Sequence, residues 1–217
     1  RMFRRLIAMG SASLLWATAL AGTAQAQDAG ARFEMTPFIA YRMGGDFDYF
    51  DEAADKDRSV NLDDDMSWGI DLGLVRDFNS MYELLYSNQK TQLDSKEPEL
   101  QSIDLTTQYV HIGGTVFYPG ENWFVPFLSG TLGATFFEPS GPYDSETKFS
   151  FSLGTGLRFP ITDAFAATLG LRGYLTFVDS DSQIFCASGG GEGGCLLKTS
   201  SSTFFQGEAS LGLTFRF

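Results

Sequence analysis

The stretch Phe205-Gln-Gly-Glu-Ala-Ser-Leu-Gly-Leu-Thr-Phe-Arg-Phe217 decides the fold, because its residues alternate between two chemical classes. The odd-numbered residues are all apolar or glycine, and the even-numbered residues are all polar or glycine. A period of two is that of a β-strand, whose successive side chains point to opposite faces. The stretch therefore predicts a strand with one apolar face and one polar face.

The same alternation recurs in seven segments upstream, around residues 32–42, 68–75, 82–87, 110–116, 128–136, 149–159 and 168–177. Long connections (43–66, 89–102, 137–147 and 178–202) alternate with short ones (77–80, 118–123 and 160–164). Long extracellular loops and short periplasmic turns are typical of outer-membrane barrels, whose tilted strands need about 9–11 residues to cross the bilayer. The sequence predicts an all-β, eight-stranded antiparallel up-and-down transmembrane β-barrel. A soluble β-sandwich is the alternative.

The first 26 residues have the three-part layout of a secretory signal peptide. Arg1, Arg4 and Arg5 precede a mostly apolar stretch, and Ala24-Gln25-Ala26 offers small residues for cleavage. We therefore expect a cleaved signal peptide over 1–26 and a barrel domain over 27–217, with a signal anchor as the alternative. Without the three leader arginines, 12 basic residues face 27 acidic ones, a net charge of −15. Such an acidic chain is a poor candidate for binding nucleic acid, whose phosphates are recognised mainly by Lys and Arg.

The terminal strand also carries a family resemblance. Its alternation, with Phe215 and Phe217 on the apolar face, resembles the terminal strand that the barrel-assembly machinery recognises in outer-membrane proteins. Thr36-Pro-Phe-Ile-Ala-Tyr-Arg-Met-Gly-Gly45 and Tyr109-Val-His-Ile-Gly-Gly-Thr115 are similar to strands of small barrels in the OmpA/OmpX/OmpW-like superfamily. The resemblance implies an outer-membrane location, and it implies outer-membrane lipid, lipopolysaccharide and the assembly machinery as partners. It carries no activity, because members of one fold differ in function.

The polar faces of the strands predict a network inside the barrel. An eight-stranded barrel has room for side chains and little else, and charges in its interior need partners. The residues expected to form this network with Lys148 are Asp71, Glu83, His111, Arg158, Arg172, Tyr174 and Glu208. The pattern favours a structural plug; a gated, narrow, porin-like channel for ions or small solutes is the alternative.

The loops hold two further candidates. Cys186 and Cys195 flank a glycine-rich tract, and in an oxidising compartment a disulfide between them is expected. The first loop carries nine acidic residues between Asp46 and Asp65, and their spacing does not match an EF-hand. We therefore predict that the first loop is a solvated acidic loop, and loose binding of divalent cations is the alternative.

Nothing in the sequence points to an enzyme or a cofactor. His111 is the single histidine, no Gly-x-Ser-x-Gly motif occurs, and one histidine with two loop cysteines does not make a zinc site. We therefore predict a monomeric, non-enzymatic barrel with a structural and surface-interaction role.

Overall fold

The structure is a computed structural model, and it describes residues 33–51, 56–94, 104–141, 144–178, 183–186, 195–198 and 203–217. All regular structure in these ranges is β-strand. The twelve strands are β1 (Phe33–Met43), β2 (Asp46–Asp51), β3 (Lys56–Leu62), β4 (Asp65–Asp77), β5 (Ser80–Asp94), β6 (Asp104–Phe117), β7 (Val125–Pro139), β8 (Glu146–Pro160), β9 (Phe165–Phe177), β10 (Gln183–Cys186), β11 (Cys195–Lys198) and β12 (Thr203–Arg216). The predicted signal peptide lies outside the described residues and stays a prediction.

Eight of these strands close into a barrel. Neighbours pair antiparallel in the order β1-β4-β5-β6-β7-β8-β9-β12, and β12 pairs with β1 to complete the ring. The eight-stranded antiparallel barrel predicted from the alternation is confirmed. Among the described residues, no helix is long and apolar enough to cross a membrane.

Burial follows the alternation, because each strand turns one face to the interior. In β1, for example, Thr36, Ala40 and Arg42 are buried, whereas Ile39 and Tyr41 are exposed on the outer surface. Glycines on the inner face let neighbouring strands approach closely. A Cβ on Gly133 would overlap the backbone carbonyl oxygen of Val110 and lie 2.7 Å from the Cα of His111.

The two ends of the barrel differ. The short connections, residues 78–79, 118–124 and 161–164, lie at the same end as Phe33 and Phe217, and we call this the turn end. The opposite, loop end carries two additions that the sequence pattern did not predict. The hairpin of β2 and β3 adds to β5, and β10 pairs with β11 in a separate ribbon. Gly44 and Gly45, with φ of 80° and 107°, redirect the chain from β1 into β2.

The first and last strands meet at a seam. Register runs from Glu34 opposite Arg216 to Met43 opposite Gly207, but it is interrupted at Thr36 and Pro37. Proline has no N–H to donate to the ladder, so Pro37 weakens the pairing of β1 with β12 at this level.

Candidate functional site: the bonded interior of the barrel

Charged side chains inside the barrel lie in three groups. The loop-side cluster comprises Arg42, Ser67, Ser87, Tyr174 and Glu208; the middle cluster comprises Glu83, Thr115, Ser152 and Arg172; and the turn-side cluster comprises Glu34, Arg158 and Arg216. Each cluster draws its members from at least three strands. The clusters therefore tie opposite walls of the barrel together.

The loop-side cluster is built around the carboxylate of Glu208. Arg42 donates to its Oε2 from Nε at 3.0 Å and from Nη2 at 2.7 Å. Ser67 and Ser87 donate to the same oxygen at 3.0 and 3.1 Å, and Tyr174 donates to Oε1 at 3.1 Å. The Arg42 and Glu208 side chains are 0% and 2% exposed, so this is a buried pair with almost every polar atom used.

Two tyrosines pack beside this pair. The rings of Tyr109 and Tyr174 stack with centroids 4.1 Å apart and an interplanar angle of 18°. The Arg42 guanidinium lies 4.9 Å from the first ring centroid and 5.2 Å from the second, within range of a cation–π interaction. Tyr109 donates to Gln206 Oε1 at 2.8 Å, and Gln206 in turn donates to Gln89 at 3.2 Å. The stacked rings and the two amides extend the loop-side cluster across the barrel.

The middle cluster joins an ion pair to a chain of hydroxyl groups. Arg172 Nη2 lies 2.6 Å from Glu83 Oε1, and Thr115 donates to Glu83 Oε2 at 2.5 Å. Arg172 Nη1 donates to Ser152, whose hydroxyl is 2.7 Å from that of Thr131. Each charged group is thus held by at least one neutral hydroxyl group as well as by its partner.

His111 continues this chain. Its Nδ1 lies 3.0 Å from the Thr131 hydroxyl and its Nε2 lies 2.8 Å from the Ser150 hydroxyl. Thr135 donates to the same serine and lies 2.8 Å from the hydroxyl of Thr176. Both ring nitrogens of the histidine are therefore occupied by hydroxyl groups and neither contacts a carboxylate.

The turn-side cluster has a different balance of charge. Glu34 Oε2 lies 2.9 Å from Arg158 Nη1, and Arg216 Nε donates to Glu34 Oε1 at 3.1 Å. The first contact is close enough for an ion pair but is not aligned as a hydrogen bond. The Arg158 guanidinium also lies 4.2 Å from the centroid of the Phe117 ring. Two arginines share one carboxylate here.

All seven network residues named from the sequence lie on the inner face of the barrel, in the groups described above or beside them. The buried Oδ1 of Asp71 has no hydrogen-bond partner in the described part of the chain. Lys148 pairs with Glu146 at 3.1 Å, near the loop end.

The alternation of polar and apolar residues predicted which side chains face the barrel interior, but it did not predict their hydrogen-bond and ion-pair partners. It missed Arg42 and Glu34, which carry the ion pairs of β1, and it missed Tyr109, Gln89 and Gln206. The signal was present, since Arg42 and Glu34 alternate with Tyr41 and Phe33, which face outward.

The remaining sequence candidates lie elsewhere. Cys186 and Cys195 oppose each other in the register of β10 and β11; their side chains are outside the described part, and the disulfide stays a prediction.

Phe215 faces outward against Phe165 with ring centroids 5.4 Å apart, and the Phe217 amide donates to the Phe33 carbonyl at 2.9 Å. The acidic side chains of residues 46–61 also lie outside the described part. No group of metal-binding side chains is found among the residues that are described.

One protein family matches almost the whole length of the chain. Residues 12–217 match the family described as "Outer membrane protein beta-barrel domain". The chain belongs to this family. It is an outer-membrane protein, and in bacterial outer-membrane barrels the short turns generally face the periplasm and the long loops the outside. No curated protein sequence matches this barrel.

Solved structures agree with the fold. The solid-state NMR structure of the outer membrane protein AlkL in DMPC bilayers aligns with a TM-score of 0.62 and 12% identity, over 88% of this chain and 94% of that one. Neisserial surface protein A gives 0.56 and 14%, over 85% and 97%. OprG from Pseudomonas aeruginosa gives 0.53 and 11%, over 86% and 96%. At such low identity these similarities establish the barrel fold and no more.

Proposed function

We propose that this outer-membrane barrel has a structural and surface-interaction role, with a lumen plugged by the three clusters and with its loops presented to the outside. The observation that carries the proposal is the density of bonds across the interior. An interior cavity lined by Asp71, Ser129 and Arg172 has a volume of only about 50 Å³. A water molecule occupies about 30 Å³ in the liquid. Such a cavity holds one or two waters and offers an ion no hydrated path.

The alternative function is a narrow channel for ions or small solutes. Conduction would require the loop-side and middle clusters to open. Removing one partner of a buried ion pair leaves the other charge uncompensated, at a cost of about 3–5 kcal/mol. Since the Arg42–Glu208 and Arg172–Glu83 pairs lie in series along the barrel, an open state would have to disturb both.

Single-channel recording in planar bilayers tests the plug. The refolded protein is expected to be silent, with folding shown separately by its heat-modifiable gel mobility. The quadruple variant Arg42→Ala/Glu83→Ala/Arg172→Ala/Glu208→Ala removes both ion pairs that lie in series, so we expect it to show conductance steps once its gel mobility shows that it folds. The exposed acid–base pair Arg76 and Asp77, which belongs to none of the three clusters, provides the control double alanine variant. Stable steps from the unaltered protein would refute the plug and favour the channel.

We propose no enzymatic activity and no cofactor for this barrel. Both ring nitrogens of His111 are bonded to hydroxyl groups, and an activated nucleophile would need a base whose orientation is set by a third group. The inward serines lie in hydrogen-bonded chains inside the barrel, away from the lipid surface where a lipid substrate would approach.

We further propose that the partners are those of the membrane itself: outer-membrane lipid, lipopolysaccharide and, during assembly, the barrel-assembly machinery acting on a monomer.

Asp63, Asp64 and Asp65 are exposed at the loop end. Like charges repel, so loose binding of divalent cations at the acidic first loop would reduce repulsion between this loop and lipopolysaccharide phosphates. A calcium-dependent rise in stability in lipopolysaccharide vesicles, absent from vesicles of neutral lipid, is the expected result; equal responses would contradict it.

A further inference from the structure

We infer that the periplasmic mouth of the barrel is a binding site for a monoanionic ligand that has an oxyanion head and an apolar body. The site is a vestibule at the turn end, with a volume of about 790 Å³. Ligand pockets in proteins typically measure about 300–1,000 Å³. Unlike the interior cavity, the vestibule is therefore large enough for a small organic molecule or a short peptide terminus.

The floor of the vestibule is cationic. It is formed by the turn-side cluster, in which Arg158 and Arg216 face the single carboxylate of Glu34. Among the described residues, Glu34 is the one carboxylate within ion-pair distance of these two arginines. A guanidinium group is suited to bind a carboxylate or phosphate, since its planar fork offers parallel N–H donors.

Much of the donor capacity of these arginines is unused. Arg158 is 6% exposed, and its Nε has no hydrogen-bond partner among the described residues. Its contact with Glu34 is not aligned as a hydrogen bond. Arg216 reaches Glu34 through Nε, and its side chain is 28% exposed toward the vestibule. A buried donor without a partner is costly, so an incoming oxyanion would satisfy groups that the protein alone does not.

The walls and the rim define the rest of the ligand. Val75, Phe117 and Val125 line the walls with apolar surface, which fits an apolar body behind the charged head. The rim carries Asp77 and Asp163, both solvent-exposed. These carboxylates disfavour a second negative charge on the ligand, and the site therefore selects a monoanion over a dianion.

Binding of N-acetyl-phenylalanine, measured against its uncharged amide, tests this inference. The refolded protein in detergent micelles is labelled with ¹⁵N, and the Nε–H signals of its arginines are followed during titration. We expect the carboxylate to shift the Arg158 and Arg216 signals saturably, and the amide, which is uncharged and partitions into micelles at least as well, to leave them unchanged. Saturable shifts with inorganic phosphate alone would identify a free oxyanion as sufficient and would remove the apolar body from the inference.

Two variants and one control locate the site. A hydrogen bond to a charged group contributes about 1.5–3 kcal/mol, so Arg216→Gln should weaken binding about tenfold or more. Arg158→Gln should do the same, with heat-modifiable mobility verifying that it folds. Arg76→Gln removes an arginine from the same end of the barrel that faces outward and does not line the vestibule, and binding should be unchanged. Equal binding of acid and amide, or affinity unaffected by Arg216→Gln, would overturn the inference.

Discussion

We expect Glu208→Gln to destabilise the barrel more than any other isosteric substitution in its interior. The substitution keeps the shape of the side chain and removes its charge. Five donor atoms from four residues converge on this carboxylate, among them two nitrogens of Arg42 at 2.7 and 3.0 Å. Glutamine would leave the buried guanidinium without a counter-ion and would point an amide N–H₂ group at other donors.

The expected cost follows from that geometry. Removing one partner of a buried pair costs about 3–5 kcal/mol. Two tyrosine rings 4.9 and 5.2 Å from the Arg42 guanidinium remain in place and continue to stabilise its charge. We therefore expect a loss near the lower limit of that range, about 3 kcal/mol.

Urea titration of the protein refolded in lipid vesicles measures this loss, with tryptophan fluorescence and gel mobility as independent probes. Glu138→Gln is the matched control, because this glutamate is exposed near the loop end of β7, and its loss should stay within about 0.5 kcal/mol. A loss below about 1 kcal/mol for Glu208→Gln would refute the reasoning. Adding Arg42→Met to Glu208→Gln removes the stranded charge, so the double variant should be more stable than the sum of the two single losses predicts. Strict additivity would show that the two side chains do not interact.

Two further predictions concern the backbone. Gly133→Ala should abolish folding into the barrel, because its Cβ would overlap the Val110 carbonyl. Gly130→Ala, on the outer face of the same strand, should fold normally, because its Cβ would make only an ordinary van der Waals contact with Leu153 Cδ2 at 3.7 Å; gel mobility scores both variants. Pro37→Val should raise the unfolding free energy by up to about 1 kcal/mol, since it restores an N–H donor where the pairing of β1 and β12 is interrupted. An unchanged urea midpoint for Pro37→Val would show that the interruption has another cause.

Much of this fold could be predicted from alternation alone, because a membrane barrel repeats the same contrast between lipid and lumen in every strand. Phe205 and Gln206 have opposite surroundings, and their chemistry reveals it. The sequence predicts a loop where β2 and β3 form a hairpin, because outside the membrane a strand no longer separates lipid from lumen and its residues need not alternate.

The pairing inside the lumen could not be predicted in the same way. Which acid meets which base depends on how far each strand is shifted along its neighbour, and the sequence of one strand does not contain that shift. Arg172 meets Glu83, a residue 89 positions away, rather than Glu208, its direct cross-strand neighbour. Glu208 is taken by Arg42, a residue on the opposite side of the seam.

The seam between β1 and β12 joins the two chain ends by more than backbone ladders. Side-chain bonds there link Arg42 to Glu208, Thr36 to Thr214 and Glu34 to Arg216, across 166, 178 and 182 positions of sequence. None of these bonds can form until the last strand arrives, so every earlier assembly intermediate leaves Arg42, on the inner face of its first strand, without the carboxylate of Glu208. Closure is thus the step that supplies Arg42 with its counter-charge. A truncated or stalled polypeptide would remain chemically distinguishable from a finished one, because its unpaired Arg42 would mark it as incomplete.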